Sequence, residues 1–216
     1  MLVLETGNTQ ATARNTSGNA GQVRDQALFV SGLLVEKLGG PSVKPYQPAG
    51  LWKELSGAAD YEMDQGEGLY RRSLYTFWKR TSPPPAMANF DAAGRETCVV
   101  RESRTNTPLQ ALNLMNDVTF LEASRKLAEK MMGTQDGIRL GFRMMTSRMP
   151  DAREFLVLEN AYRHHLARFK SDPQAARNLL AHGDSARNAK LDATELAAYA
   201  MVASMLLNLD EGITRE

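Results

Sequence analysis

Near its end the chain carries the feature that most restricts its fold. From Leu196 to Leu207, twelve residues run apolar with Ser204 as the one interruption. Asp192 and Glu195 stand just before it, in the D-x-x-E spacing of a helix N-terminus. A helix that is apolar almost all round needs neighbours on every side. At twelve residues it is too short to cross a bilayer, which needs about 20. The run therefore predicts the central helix of a helical core. Two more starts of the same kind precede it. Thr107, Pro108 and Gln110 form a T-x-x-Q box with proline at the first helical position. This helix carries Leu109 and Leu112 and, past a suspected break at Asn116-Asp117, Phe120, Leu121 and Leu127, with Gly133 closing it. Asp151 and Glu154 open a helix with Phe155, Leu158, Tyr162, Leu166 and Phe169 on one face, and Asp172-Pro173 starts a shorter one ending at Gly183. No run alternates as a half-buried strand does, and no fixed repeat appears. The class is all-α: an irregular helical domain with a proline-rich, arginine-rich central loop segment.

The first half is less regular. Thr6–Gly21 is rich in Thr, Asn, Gly, Ala and Gln, and has too little apolar surface to offset its ordering entropy. Residues 1–21 read as a mobile polar arm, and 22–216 as part of a single helical domain. Ala27, Val30, Leu34 and Leu38 recur at helical spacing, widened by Phe29 and Leu33, so a helix is expected from Gln22 to Leu38, stopped by Gly39-Gly40 and Pro41. Prolines 41, 45 and 48 mark an extended connector. Leu69–Arg80 interleaves Arg71, Arg72, Lys79 and Arg80 with Tyr70, Tyr75, Phe77 and Trp78. Its period fits helix or strand, with a lean to helix. Pro83-Pro84-Pro85 ends it as a stiff polyproline spacer.

Composition excludes several chemistries. With 26 Lys+Arg against 25 Asp+Glu, the net charge of +1 lacks the basic excess of a dedicated nucleic-acid binder. The single cysteine, Cys98, rules out an internal disulfide and an all-cysteine zinc site. With no C-x-x-C-H, the chain attaches no haem covalently. Asp60, Glu62 and Asp64 begin like a calcium loop, but the turn glycine comes late, at Gly66, and Arg71 stands where a bidentate carboxylate is needed. A solvated acidic loop is the better reading. His164 and His165 are adjacent and diverge by about 100° on a helix. With His182 they read as helix surface and cap, so no metal is expected. Cys98 lies near Arg95 and Arg101 but has no histidine close in sequence, which favours a buried structural thiol over a nucleophile.

The sharpest signal spans Arg71 to Arg104. It holds seven cations against three anions, and six of the seven are arginine, whose planar fork suits bidentate recognition of carboxylate, phosphate or sulfate. Two readings follow: a surface for an anionic ligand or partner, or an internal ion-pair network pinning a proline-rich loop to the helices. The segment is expected to pack against the helix opened by Pro108, with Arg72 and Arg104 facing a common cleft.

Tyr70–Thr81, Pro83-Pro84-Pro85, Phe90-Asp91-Ala92, Arg95–Cys98 and Arg104–Leu112 together resemble the planctomycete-type domain of unknown function, DUF family 1553. Gly39–Val43, Gln47–Trp52 and Val202–Glu211 agree with it. The resemblance covers about Arg24 to the C-terminus, with the arm before Gly21 outside it. Val118 stands where the family tends to have proline. The resemblance implies an exported, periplasmic or extracytoplasmic multidomain protein, of which this is the C-terminal part of a domain. Its partners would be companion domains, often including a cytochrome-c-like one, and this chain would carry no cofactor of its own. It implies no established activity. The function expected is therefore a non-haem helical module that binds an anionic or carbohydrate ligand or docks a companion domain. Arg71, Arg72, Lys79 and Arg80 would contact the anion. Asp91, Glu96 and Asn106 would orient them or the loop, and Arg95, Arg101, Arg104 and Gln110 complete the candidate set. The alternative is an enzyme on an anionic or carbohydrate substrate, with Asp91 and Glu96 as acid and base. If the preceding helical portion of the domain normally covers the first helix, Phe29 or Leu33 is expected to be exposed there in a contiguous apolar patch.

Overall fold

The computed structural model describes residues 20–56, 61–79, 82–93, 105 and 107–213. Among them the helices are α1 (Ala20–Ser31), α2 (Leu51–Ser56), α3 (Pro85–Asn89), α4 (Pro108–Asn116), α5 (Val118–Met132), α6 (Gly137–Thr146), α7 (Ala152–Ser171), α8 (Pro173–Leu180), α9 (Ala193–Leu207) and α10 (Asp210–Ile213). The described residues contain no β-strand, and the class is all-α.

The apolar C-terminal run is the centre of the bundle, as its composition requires. Along α9, Leu196, Ala198, Val202, Ala203 and Leu206 are buried, and the helix packs against α5, α7 and α8. One core cluster joins Val23, Ala27 and Val30 of α1 with Leu114, Phe120, Leu127, Phe142, Leu158 and Leu206. A second gathers Phe169, Ala176, Leu180, Leu196 and Ala200 where α7, α8 and α9 meet. The caps lie where the spacing puts them. Thr107 with Gln110 and Asp151 with Glu154 form full capping boxes, and Asp192 accepts from the amides of Thr194 and Glu195. The suspected break is present in spite of Val118. Asp117 ends α4 with an extended backbone and caps α5 by accepting from Thr119 N at 2.8 Å. Helix α8 ends at Leu180, earlier than Gly183, and α6 is a helix that the sequence patterns did not bring out.

The first helix ends at Ser31, seven residues short of the Leu38 end that apolar spacing predicts. Gly32 takes φ +80, Gly32 N donates to Phe29 O and Leu33 N to Leu28 O, the paired bonds of a left-handed C-cap. Glycine adopts that conformation without strain, so the helix stops there and Leu33–Val35 continue as irregular chain against Leu28, Leu69 and Tyr70. Leu38 is exposed.

Tyr70–Trp78 is likewise not a continuous helix. Short 3₁₀ turns at Gly66–Tyr70 and Ser73–Tyr75 alternate with extended residues. Isolated parallel bridges pair Val35 with Arg71 and Val43 with Thr76. The four-residue spacing of Tyr70, Leu74 and Trp78 is overridden because the backbone bonds to the neighbouring connector: Val35 N to Tyr70 O, Val43 N to Tyr75 O and Phe77 N to Val43 O, at 2.7–3.0 Å. Of the three prolines, Pro85 begins α3, its missing N–H costing nothing at a first helical position.

Candidate functional site

The irregular first half leaves backbone carbonyls that no helix satisfies, and buried arginines satisfy them. Arg24, on the inner face of α1, donates to Arg71 O at 2.9 Å, Leu69 O at 2.6 Å and Ser73 Oγ at 3.3 Å. Burial pulls its guanidinium below the usual value, opposed by the nearby Asp25 and Asp117 carboxylates. Arg71 is buried too. It donates to Pro41 O at 3.0 Å, Lys37 O at 2.9 Å and Gly39 O, and its guanidinium lies 3.9 Å from the Tyr75 ring centre. Both fork nitrogens are thus committed to the connector. Arg71 thereby organises the loop.

Glu122 on α5 is the hub between the two halves. It is 1% exposed. Its Oε1 accepts from Tyr70 OH at 2.9 Å, Ser185 N at 2.6 Å and Arg125 Nη2 at 3.4 Å, and Oε2 accepts from Tyr46 OH at 3.0 Å. Arg125 also donates to Leu180 O and Ser185 O. Burial raises both tyrosine hydroxyls above their ordinary value, Tyr70 the more strongly, so they remain donors. Gly183, at φ +89, lets the loop lie on Glu122, since a Cβ there would run into the carboxyl carbon. This hub was missed from the sequence. Its one local sign is Glu122-x-x-Arg125, polar residues interrupting the buried face set by Ala123, Leu127 and Ala128.

Arg72 differs from its neighbour. Its side chain is 52% exposed, and its sole ionic contact among the described residues is a loose 3.7 Å approach of Nε to Asp25 Oδ2. Asp25 is fixed by α1 and by Ser73 N, which donates to Oδ1 at 2.7 Å. Around this pair opens a cleft of about 350 Å3, walled by Ser73, Leu74, Trp78, Met87 and Ala92. The described basic segment divides: Arg72 and Ser73 lie against α1, while its α3 stretch packs on the helix opened by Pro108 as well as on α1. A second, much tighter cavity of about 30 Å3 lies between Arg24, Tyr46, Met87, Asp117 and Phe120, room for a water and not for an organic ligand. Burial raises the Asp117 carboxyl there above its ordinary value, opposed by Thr119 and Arg24.

The remaining candidates have other settings. Lys79 Nζ sits 4.4 Å over the Trp52 ring, in an aromatic group with Tyr61 and Phe77. Asp91, at φ 57, accepts from Thr105 N and Oγ1, each at 2.7 Å. Gln110 closes the α4 capping box and donates to Asn89 O at 2.9 Å, which ties α4 to α3. Arg80, Arg95, Glu96, Cys98, Arg101, Arg104 and Asn106 lie outside the described residues. Burial lowers the His165 ring below its ordinary value, with His164 and Arg168 adding to the shift. No group of three metal-ligating side chains occurs among the described residues, and no helix there is long and apolar enough to cross a membrane.

The segment with this geometry lies inside a family match. The model of a protein of unknown function, PSD1 (DUF1553), matches residues 9–162. The chain belongs to the DUF1553 family. No curated protein and no solved structure matches it. The DUF1553 match begins at residue 9, inside the polar stretch that the sequence reading left outside the family. It ends at Tyr162 within α7, so Arg24, Arg71, Arg72 and Glu122 are inside it, and the apolar helix α9 follows it.

Proposed function

We propose that the chain is a non-haem helical module of an exported multidomain protein and that it recognises the anionic group of a small ligand in the Arg72 cleft. The observation that carries this reading is the contrast between adjacent arginines. Arg71 spends its fork on Lys37, Gly39 and Pro41 carbonyls, while Arg72 meets Asp25 only loosely, through Nε, and lines a cleft of about 350 Å3. A planar fork beside a tryptophan and aliphatic wall suits a carboxylate or sulfonate on an apolar body. The test is titration with 3-phenylpropionate and benzenesulfonate, followed by NMR of the arginine side chains. Saturable shifts at Arg72 are expected, lost in Arg72→Ala and absent with a neutral sugar. Binding that persists unchanged in Arg72→Ala would remove the site.

Docking of a companion domain is a second reading, favoured by one helix. Leu109, Leu112 and Met115 on the outer face of α4 are 53%, 52% and 48% exposed. Phe29 on α1 is exposed as well, whereas Leu33 is partly covered by the core. In the full-length protein, Leu112→Glu is expected to raise protease cleavage between domains. No change would count against this face. For the enzyme reading, Asp91 is engaged by Thr105 and Glu96 lies outside the described residues.

A further inference from the structure

The Arg72 cleft offers more than a cation. Asp25 Oδ1 is occupied by Ser73 N, but Oδ2 accepts no hydrogen bond from any described residue. It faces Arg72 Nε at 3.7 Å, beyond hydrogen-bonding distance. The cleft therefore presents a fixed negative acceptor and a positive donor fork side by side. A bare anion drawn to Arg72 would also meet the Asp25 carboxylate a few ångströms away. A ligand that carries an ammonium close to its carboxylate cancels that repulsion and satisfies both groups. The wall of Leu74, Trp78, Met87 and Ala92 then requires an apolar remainder. The volume, about 350 Å3, is at the small end of ligand sites, which run roughly 300–1,000 Å3. That size suits a single residue and not a polymer.

We infer that the cleft binds a free α-amino acid with an apolar side chain. Its carboxylate lies on the Nη nitrogens of Arg72, its ammonium on Asp25 Oδ2 and its side chain against Trp78 and Leu74. This rests on the anion-recognition reading of the same cleft and names its ligand. Asp25 supplies what anion recognition alone does not need.

The test compares L-phenylalanine, 3-phenylpropionate and phenethylamine by isothermal titration against the unmodified chain, which requires no variant to fold. Phenylalanine is expected to bind about tenfold or more tighter than either analogue, the loss that one charge-assisted hydrogen bond brings. Asp25→Asn keeps an oxygen for Ser73 N. It should bind phenylalanine about tenfold more weakly, and 3-phenylpropionate at least as tightly as the unaltered chain does, since the repelling carboxylate is gone. Arg72→Ala should weaken both acids. If 3-phenylpropionate binds as tightly as phenylalanine, the amino-acid assignment is overturned and anion recognition stands. If neither acid binds, both fall. If phenylalanine binds equally well to Arg72→Ala, the ligand is not in this cleft.

Discussion

The halves of the molecule order their backbones by opposite means. In 107–213, five of the helices are opened by a side chain two or three residues from the amide it bonds, Thr107, Asp117, Asp151, Asp172 and Asp192, and α6 alone among the longer ones lacks such a cap. In 20–93, carbonyls of irregular chain are met by arginines 30 to 47 positions away, Arg71 reaching back to Lys37 and Pro41 and Arg24 forward to Leu69 and Arg71. Local caps specify a helix before any tertiary structure exists. Long-range donors act only after the chain has closed on itself, at the entropic cost of that closure. The irregular chain of the first half is consequently a dependent structure, ordered by its contacts with α1 and α5.

Glu122 tests that dependence most severely, because it holds Tyr46 and Tyr70 of the first half and Ser185 and Arg125 of the second. Glu122→Ala takes the shared acceptor from Tyr46, Tyr70, Arg125 and Ser185, leaves the buried Arg125 without its carboxylate, and should cost about 3–5 kcal/mol, the range for breaking a buried pair. Urea unfolding followed separately by Trp fluorescence, whose reporters Trp52 and Trp78 are in the first half, and by far-UV dichroism should show both transitions moving. A shift under about 1 kcal/mol would mean the halves are joined by apolar packing alone.

The arginine pair is the next step down. Arg71→Ala removes a fork bonded to three carbonyls and should cost about 1–3 kcal/mol. Faster amide exchange should appear at Val35, Val43 and Phe77, while α5 and α9 keep their protection. Arg72→Ala, one residue on, should stay within about 0.5 kcal/mol because its side chain faces solvent. Equal losses at both positions would erase the distinction on which the cleft rests.

That distinction also marks how far the sequence could be read. The helical half was legible because caps and apolar spacing are local, and Leu196–Leu207 carries its own burial in its composition. The end of α1 was not, since Leu34 and Leu38 keep helical spacing beyond Gly32 and only the conformation of Gly32 stops the helix. The basic segment was legible as arginine-rich, but its alternation of buried Arg71 and exposed Arg72 depends on bonds to Lys37–Pro41, which no short spacing reveals. Asp25 went unnoticed for the same reason: its partner in the cleft is 47 residues away in sequence, on an element whose extended backbone places Arg72 beside it.

A single cap sharpens the helical side of the comparison. Thr107→Ala leaves Gln110 N without its hydroxyl acceptor and opens the reciprocal box. A loss of about 1 kcal/mol is expected, by chemical denaturation. Gln110 also donates to Asn89 O, so Gln110→Ala should cost more than Thr107→Ala. The reverse order would show that α4 needs its cap and not its tie to α3.

The smallest effect belongs to an exposed clasp in the helical half. Arg148 donates to both carboxylate oxygens of Glu154, at 2.8 and 2.6 Å, and to Glu211 at 2.7–3.2 Å, so it joins the start of α7 to α10. Its guanidinium lies 4.8 Å from the Phe142 ring centre. The Arg148 hydrogen bonds, with the Asp151 amide second, hold the Glu154 carboxyl at about 2 against an ordinary 4.5. A carboxyl with a lowered folded-state value stabilises the fold above its ordinary value and loses that contribution as pH falls through its folded one. The clasp is therefore fully effective above pH 4.5 and fades toward pH 2. Because the groups are at the surface, the gain is small and screened by salt, with a Debye length of about 8 Å at 0.15 M. Melting temperatures of the unaltered chain and Glu154→Gln should differ near neutral pH and converge as the pH drops, with a smaller gap at about 1 M salt, where the Debye length is about 3 Å. A gap that is independent of pH would assign Glu154 to the α7 cap alone, through its bond from Asp151 N at 2.7 Å, and would leave Arg148 with no part in stability.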